Sequence, residues 1–233
     1  MRVVTINGQN HKGSTYHIGR MLAEKLTSEQ DITEIFLPRD LPKFCTGCAQ
    51  CFMQSETKCP HYELTAPLTN TMDEADVLIF TSPVYVYHAT GSMKAFLDHY
   101  GWRWMAHRPS PGMFQKQAAV ISTAAGAGMR SACKDMAHTC FFWGIPKTYR
   151  LGMGVQAIRW EEVSPKKKRK IQKKTTAIAE KIRKNNGHVK PGIKTKGFFT
   201  LMRFLQRRVM QNPPDKAHWQ QQGWFGKNRP WDP

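Results

Sequence analysis

Four of the six cysteines in this 233-residue chain fall within the stretch CTGCAQCFMQSETKCP, at positions 45, 48, 51 and 59. Two consecutive x2 gaps bring the thiolates of Cys45, Cys48 and Cys51 onto one short turn. Cys59, followed by Pro60, can close the set. A 4Fe–4S cluster is held by four such thiolates, and a Cys-x2-Cys-x2-Cys opening with a closing Cys-Pro suits it. Zinc is a second reading, with His61 as a spare ligand, although structural zinc sites usually use two separated pairs. The third reading is a loop of free or partly oxidised thiols that holds no metal. The spacing leaves all three open.

The second group of interest is Gly8-Gln9-Asn10-His11-Lys12-Gly13-Ser14-Thr15. Small residues let backbone N–H groups approach an anion, and a helix whose pattern begins at Thr15, with Ser14 or Thr15 as its cap, presents unpaired donors to it. The hydroxyls of Ser14 and Thr15 and the side chains of Gln9, His11 and Lys12 add further donors. The stretch is neither a P-loop nor a G-x-G-x-x-G turn. Farther on, Ser82-Pro83-Val84-Tyr85-Val86-Tyr87 offers flat aromatic surface beside a proline that fixes a turn. Ser122-Thr123-Ala124-Ala125-Gly126-Ala127-Gly128 is a third turn made of small residues. No Ser/His/Asp or Cys/His constellation emerges, and the nine histidines are scattered.

These residues need elements to hold them. Residues 2–6 (RVVTI), 32–37, 76–81 and 117–123 are short apolar runs, and 147–151 is a candidate fifth. Between them run helical patterns: Ile18, Met21, Leu22 and Leu26, then Met93, Phe96, Leu97 and Tyr100, then residues 129–142. Short apolar strands alternating with helices predict right-handed βαβ units and a parallel sheet covered on both faces. Ligands of such sheets bind outside the carboxyl ends of the strands. The three loops to watch are therefore 7–15, 82–91 and 122–129. Cys133 and Cys140 fall in a helical pattern and read as buried, unreactive thiols.

Charge is unevenly spread. Residues 1–146 hold 13 Lys/Arg and 12 Asp/Glu, whereas residues 147–233 hold 22 and 5. The excess sits partly on Lys166-Lys167-Lys168-Arg169-Lys170, a string similar to a nuclear-localisation signal. Ser164 as cap, Pro165 in the first turn and Ile171, Ile178 and Ile182 on one face make it a helix with a solvated basic side. From residue 186 an extension follows, with an apolar stripe of Phe198, Leu201, Met202, Leu205 and Val209. A Trp-rich tail from Asn212 carries Trp219, Trp224 and Trp231. This extension (186–233) is expected to pack on the first unit (1–185) or on a partner subunit, the tail wrapping over existing surface. A basic half permits a nucleic-acid or acidic-surface binding module as an alternative of another class. No basic-aromatic recognition motif supports it, so no nucleic-acid partner is expected. No signal peptide or membrane span is read, which predicts a cytoplasmic protein that does not engage a membrane.

Gly8, Gly13 and Ser14, the run Ser82-Pro83-x-Tyr85 with Lys94, Phe96 and Asp98, and the small turn at 122–128 together carry a resemblance. The chain resembles the flavodoxin-like NAD(P)H-dependent FMN reductases, in the branch that shades into iron–sulfur flavoproteins. Gln9 and His11 stand where that family commonly has Ser and Arg. The resemblance covers residues 1 to about 185. It implies a five-stranded, doubly wound parallel sheet of order 2-1-3-4-5 with a helical or irregular C-terminal extension. It implies FMN held by Gln9, His11, Gly13, Ser14, Thr15, Pro83, Val84, Tyr85, Val86, Tyr87, Thr123, Ala124, Ala125 and Gly126. It further implies hydride transfer from NAD(P)H to flavin N5 and on to a small-molecule acceptor such as a quinone, nitro or azo compound. No catalytic side chain is required, and a homodimer is expected because such flavin sites often lie at a subunit boundary. An iron–sulfur flavoprotein passing electrons to a protein partner is the alternative, with the four cysteines as its cluster ligands.

Overall fold

The computed structural model describes residues 1–232. The core elements, in chain order, are β1 (Val3–Asn7), α1 (Ser14–Glu24), β2 (Ile32–Phe36), α2 (Gln50–Met53), α3 (Tyr62–Glu74), β3 (Val77–Thr81) and α4 (Gly91–His99). They continue as β4 (Gln117–Ala124), α5 (Met129–Phe142), β5 (Lys147–Gly154), α6 (Pro165–Asn185), α7 (Ile193–Arg208) and α8 (Pro213–Gln221). The five strands form one parallel sheet in the order β2-β1-β3-β4-β5. This is the flavodoxin-like order expected from the sequence.

Side chains alternate across the sheet, so each strand feeds two cores. Val4, Ile6, Leu78, Phe80, Ala118 and Val120 point to one face, which α3, α4 and α5 cover through Met72, Phe96 and Met136. Val3, Val77, Ile79, Ala119, Ile121 and Leu151 point to the other, covered by α1 and α6 through Ile18, Leu22, Ile171 and Ile182. With both faces covered, β1 and β3 are buried along their whole length, which is why they read as unbroken apolar runs. Cys133 and Cys140 lie in the first of these cores; burial pushes their thiols up to about 11 and about 12.

Two elements depart from the sequence reading. Helix α3 was not anticipated, because Pro67 interrupts its pattern. Pro67 sits within the first two turns, and the loss of one N–H there is offset by burial of Leu68 and Met72. The tail also contains a helix, α8, which begins with Pro213 and Pro214. Trp219 and Trp224 from this region join Phe199 and Met202 of α7 against Met105 and Phe114 of the α/β unit. Phe199 and Trp219 stack at 4.9 Å. The tail therefore gains its structure from an aromatic cluster that hydrophobic periodicity does not show.

Candidate functional site

Because all five strands are parallel, their carboxyl ends share one edge, and Asn7 binds that edge together. Its buried amide donates to the Ile35 carbonyl (3.2 Å) and accepts from the Thr81 hydroxyl (2.9 Å), joining the ends of β1, β2 and β3. The loops leaving these ends are then locked to one another. Gly8 N–H donates to Thr81 O, and the Gly8 carbonyl accepts from Thr90 and Ser92, both at 2.6 Å. A Cβ on Gly8 would stand 2.9 Å from the Thr90 hydroxyl, so only glycine permits this approach. Tyr85 Oη donates to Gln9 Oε1 at 2.7 Å, and Thr15 and Thr123 share a hydroxyl hydrogen bond of 2.5 Å. Val84 N–H donates to Thr123 O at 2.9 Å. Loops 7–15, 82–91 and 122–129 thus form one continuous rim.

Within the rim, α1 begins at Gly13 with no side-chain cap. The hydroxyl of Ser14 is buried there without a partner. A buried hydroxyl without an acceptor costs about 1–3 kcal/mol, and the first-turn N–H groups of α1 carry partial positive charge. A phosphate supplies oxygens to both, so this end fits the phosphate of a mononucleotide. His11 and Gln9 lie over Gly13, their side chains 3.1 Å apart.

The second loop supplies the aromatic wall. A tight turn closes between Tyr85 and His88, and Val86 and Tyr87 within it have φ of 46° and 64°. Left-handed backbone at a β-branched residue is strained, and it persists where the surroundings hold it. Here the turn leans on Gly128, and the Asp135 carboxylate accepts from His88 Nδ1 (2.9 Å) and Ala89 N–H (3.2 Å). Tyr85, Val86 and Tyr87 are half to almost fully exposed, an apolar surface with nothing over it. Pro83, Ala124, Ala125 and Gly126 complete the rim. The sequence reading did not single out Thr90, Ser92 or Asp135; only their contacts in space mark them.

The four cysteines occupy the long connection from β2 to α3. Cys45 and Cys48 are exposed, while Cys51, on α2, and Cys59 are half-buried. Burial pushes the Cys51 thiol up to about 11, with further increments from the charges of Cys59, Cys45 and Cys48. Even so, among the described residues no group of three or more His, Cys, Asp or Glu gathers closely enough to hold a metal ion. The four thiols are the donor type of a thiolate metal site, but as placed they do not gather into one. His61, the spare ligand of the zinc reading, instead bonds His99 ring to ring at 2.9 Å.

Residues 1–151 match the model of the NADPH-dependent FMN reductases. The chain belongs to this family. An iron–sulfur flavoprotein of Archaeoglobus fulgidus is 28% identical over 159 residues, covering 66% of this chain and 70% of the relative. A second iron–sulfur flavoprotein of the same organism is 24% identical over 138 residues, covering 59% and 64%. Among solved structures, an FMN-dependent NADH-azoreductase from Bacillus anthracis, in complex with FMN, superposes with a TM-score of 0.55 at 12% identity. That alignment covers 77% of this chain and all of the azoreductase. The structural likeness establishes the flavodoxin-like fold. Family membership makes the chain an NAD(P)H-dependent flavin oxidoreductase with FMN as its cofactor. No described helix is long and apolar enough to cross a membrane.

Proposed function

We propose that the fused rim of three loops is the FMN site and that hydride enters there from a nicotinamide cofactor and leaves to a small-molecule acceptor. The carrying observation is the set of bonds that makes one site of three loops: Gln9 with Tyr85, Thr15 with Thr123, and Gly8 with Thr90 and Ser92. In this reading Gly13, Ser14, Thr15, Gln9 and His11 take the phosphate. Pro83 to Tyr87 and Thr123 to Gly126 border the ring. FMN, when bound, supplies the two-electron chemistry. The protein's own part would be to border the ring with the 83–87 and 123–126 turns, beside the exposed Tyr85 and Tyr87. An open, apolar face suits flat acceptors such as quinones, nitroaromatics and azo compounds. The chain is further proposed to act as a cytoplasmic homodimer, with residues 1–185 as the flavin unit and 186–233 as an appended structural segment.

A second reading is supported by the four cysteines on one connecting loop and by the two iron–sulfur flavoproteins among the relatives. Cys45, Cys48, Cys51 and Cys59 would then hold a 4Fe–4S cluster and pass electrons singly to a protein partner. The spectrum of the anaerobically purified chain tests both readings. Flavin bands with NAD(P)H-dependent ping-pong reduction of a quinone support the first. About four irons per chain with a broad visible shoulder adds the second. A colourless protein with neither absorption defeats both.

A further inference from the structure

The family match ends at residue 151, yet the chain continues through α7 and α8. The contacts of α8 suggest what the continuation does. Asp215, in its first turn, is completely buried. Its carboxylate accepts from His107 Nδ1 (2.8 Å), Arg108 Nη1 (2.6 Å) and Asn212 Nδ2 (2.8 Å). Two of these donors reach past Asp215 to the cysteine loop. Arg108 Nη2 donates to the Cys51 carbonyl, and Asn212 Nδ2 donates to the Phe52 carbonyl at 3.0 Å. The third donor, His107, meets the Phe52 ring edge to face at 4.8 Å. Arg108 Nη2 also lies 3.7 Å from Glu56, on the far arm of the same loop.

Burial pushes the Asp215 carboxyl up, but the bonds from His107 and Asn212 and the charge of Arg108 outweigh it and hold it below the usual carboxylate range. The node is therefore an ion pair in a dry place, where geometry is strict and loss of one partner is costly. A backbone carbonyl bonded to a fixed guanidinium cannot drift, so the turn carrying Cys51 inherits the rigidity of α8. Helix α8 also packs on α2, while His218 Nε2 donates to the Pro109 carbonyl at 3.0 Å and two further anchors of the extension lie elsewhere. Gln206 donates to Ala106 O at 2.7 Å and Trp219 to His107 O at 2.6 Å, neither touching the cysteine loop.

We propose that Asp215, acting through Arg108 and Asn212, is a positioning residue for the Cys51 turn, so that the C-terminal extension sets the geometry of the cysteine loop. The proposal holds for whatever the thiols carry, and only its iron readout rests on the second reading above. A cavity of about 330 Å³ lined by Cys59, Arg108 and His218 runs along the same contact, so the extension also forms one wall of the approach to Cys59.

The test uses the full chain with Asn212→Ala, Asp215→Asn and, as a control, Gln206→Ala. After chelation and reduction, each cysteine is alkylated with iodoacetamide and followed by peptide mass spectrometry. Circular dichroism and the urea midpoint report the global fold. The expected result is a rise of about fivefold or more in the rate at Cys51 relative to Cys45 in the first two variants, the population change that losing one hydrogen bond allows. Gln206→Ala should leave that ratio unchanged. Should Asp215→Asn fail to fold, Asn212→Ala alone decides. An unchanged ratio in folded Asn212→Ala overturns the proposal, and so does an equal rise in Gln206→Ala, which would mean general loosening. If the wild type binds iron, Asn212→Ala should also lower iron per chain after reconstitution. If it binds none, the second functional reading fails while the alkylation ratio still judges Asp215.

Discussion

Gly128 connects the two turns that border the proposed flavin ring, and replacing it with alanine isolates what that contact contributes. The residue has φ of +92°, where a side chain costs about 1–2 kcal/mol. The new methyl would stand 2.5 Å from Val84 Cγ1, 3.1 Å from Tyr87 Cα and 3.4 Å from Tyr87 O. Val84 can rotate, but the Tyr87 contacts are backbone and the strained 85–88 turn must move. Overpacking of this kind adds about 1–3 kcal/mol, for a combined cost of about 2–5 kcal/mol. Part of it falls on the unliganded protein as a fall in Tm of about 2–8 °C. The remainder falls on the ring site, because the turn retreats from where the flavin is held. A loss of about 1–3 kcal/mol there weakens FMN binding about 5- to 150-fold. Quenching of flavin fluorescence on titrating apoprotein measures this directly. Gly112→Ala, in the short turn before β4 and away from the rim, is the control, since a Cβ at that position meets nothing within 4 Å. The reasoning fails if Gly128→Ala binds FMN within twofold of wild type, or if Gly112→Ala loses as much affinity.

Ser14→Ala removes a buried hydroxyl that has no partner. Thermal stability of the apoprotein should hold or rise slightly while FMN affinity falls about 10- to 150-fold, as expected for a hydrogen bond to a charged group; equal loss of both would contradict a ligand-directed role. The Asp215 carboxyl is held below its ordinary value of 3.8. A depressed carboxylate contributes stability that is complete above the unfolded value and is lost as pH falls through the folded one. Acid unfolding of the wild type should therefore steepen below about pH 4, and Asp215→Asn should lack that step in a pH series of urea midpoints. In native alkylation at pH 8, Cys45 and Cys48 should react first. Cys133 and Cys140 should remain unlabelled until the chain is unfolded, because burial pushes their thiols to about 11 and about 12.

Much of this architecture is legible in one dimension. Strands buried on both faces are mostly apolar, so β1, β3 and β4 stand out as runs. Their alternation with helical periods leads to a parallel sheet whose ligand edge can be named in advance. Gly8 and Gly13 single out the first loop because close backbone approach is a local requirement, whereas the expected cap at Ser14 or Thr15 gives way to Gly13. The cysteine spacing is equally local, and it determines the donor chemistry of the loop.

What the order of residues could not convey is every pairing across long separations. Thr90 and Ser92 meet Gly8 more than eighty residues away, and Thr15 meets Thr123, because parallel strands place distant loops on one rim. Helix α8 carries a weak apolar pattern of its own and exists because Trp219 and Trp224 find Phe114 and Phe199. Asp215 looks like an ordinary first-turn acid until folding surrounds it with His107, Arg108 and Asn212. The sequence determined which residues could bind phosphate, face a ring or hold a metal, since residue type and short spacing decide those chemistries. Tertiary structure decided which of them meet, because burial and charge pairing depend on neighbours that only the folded chain brings together.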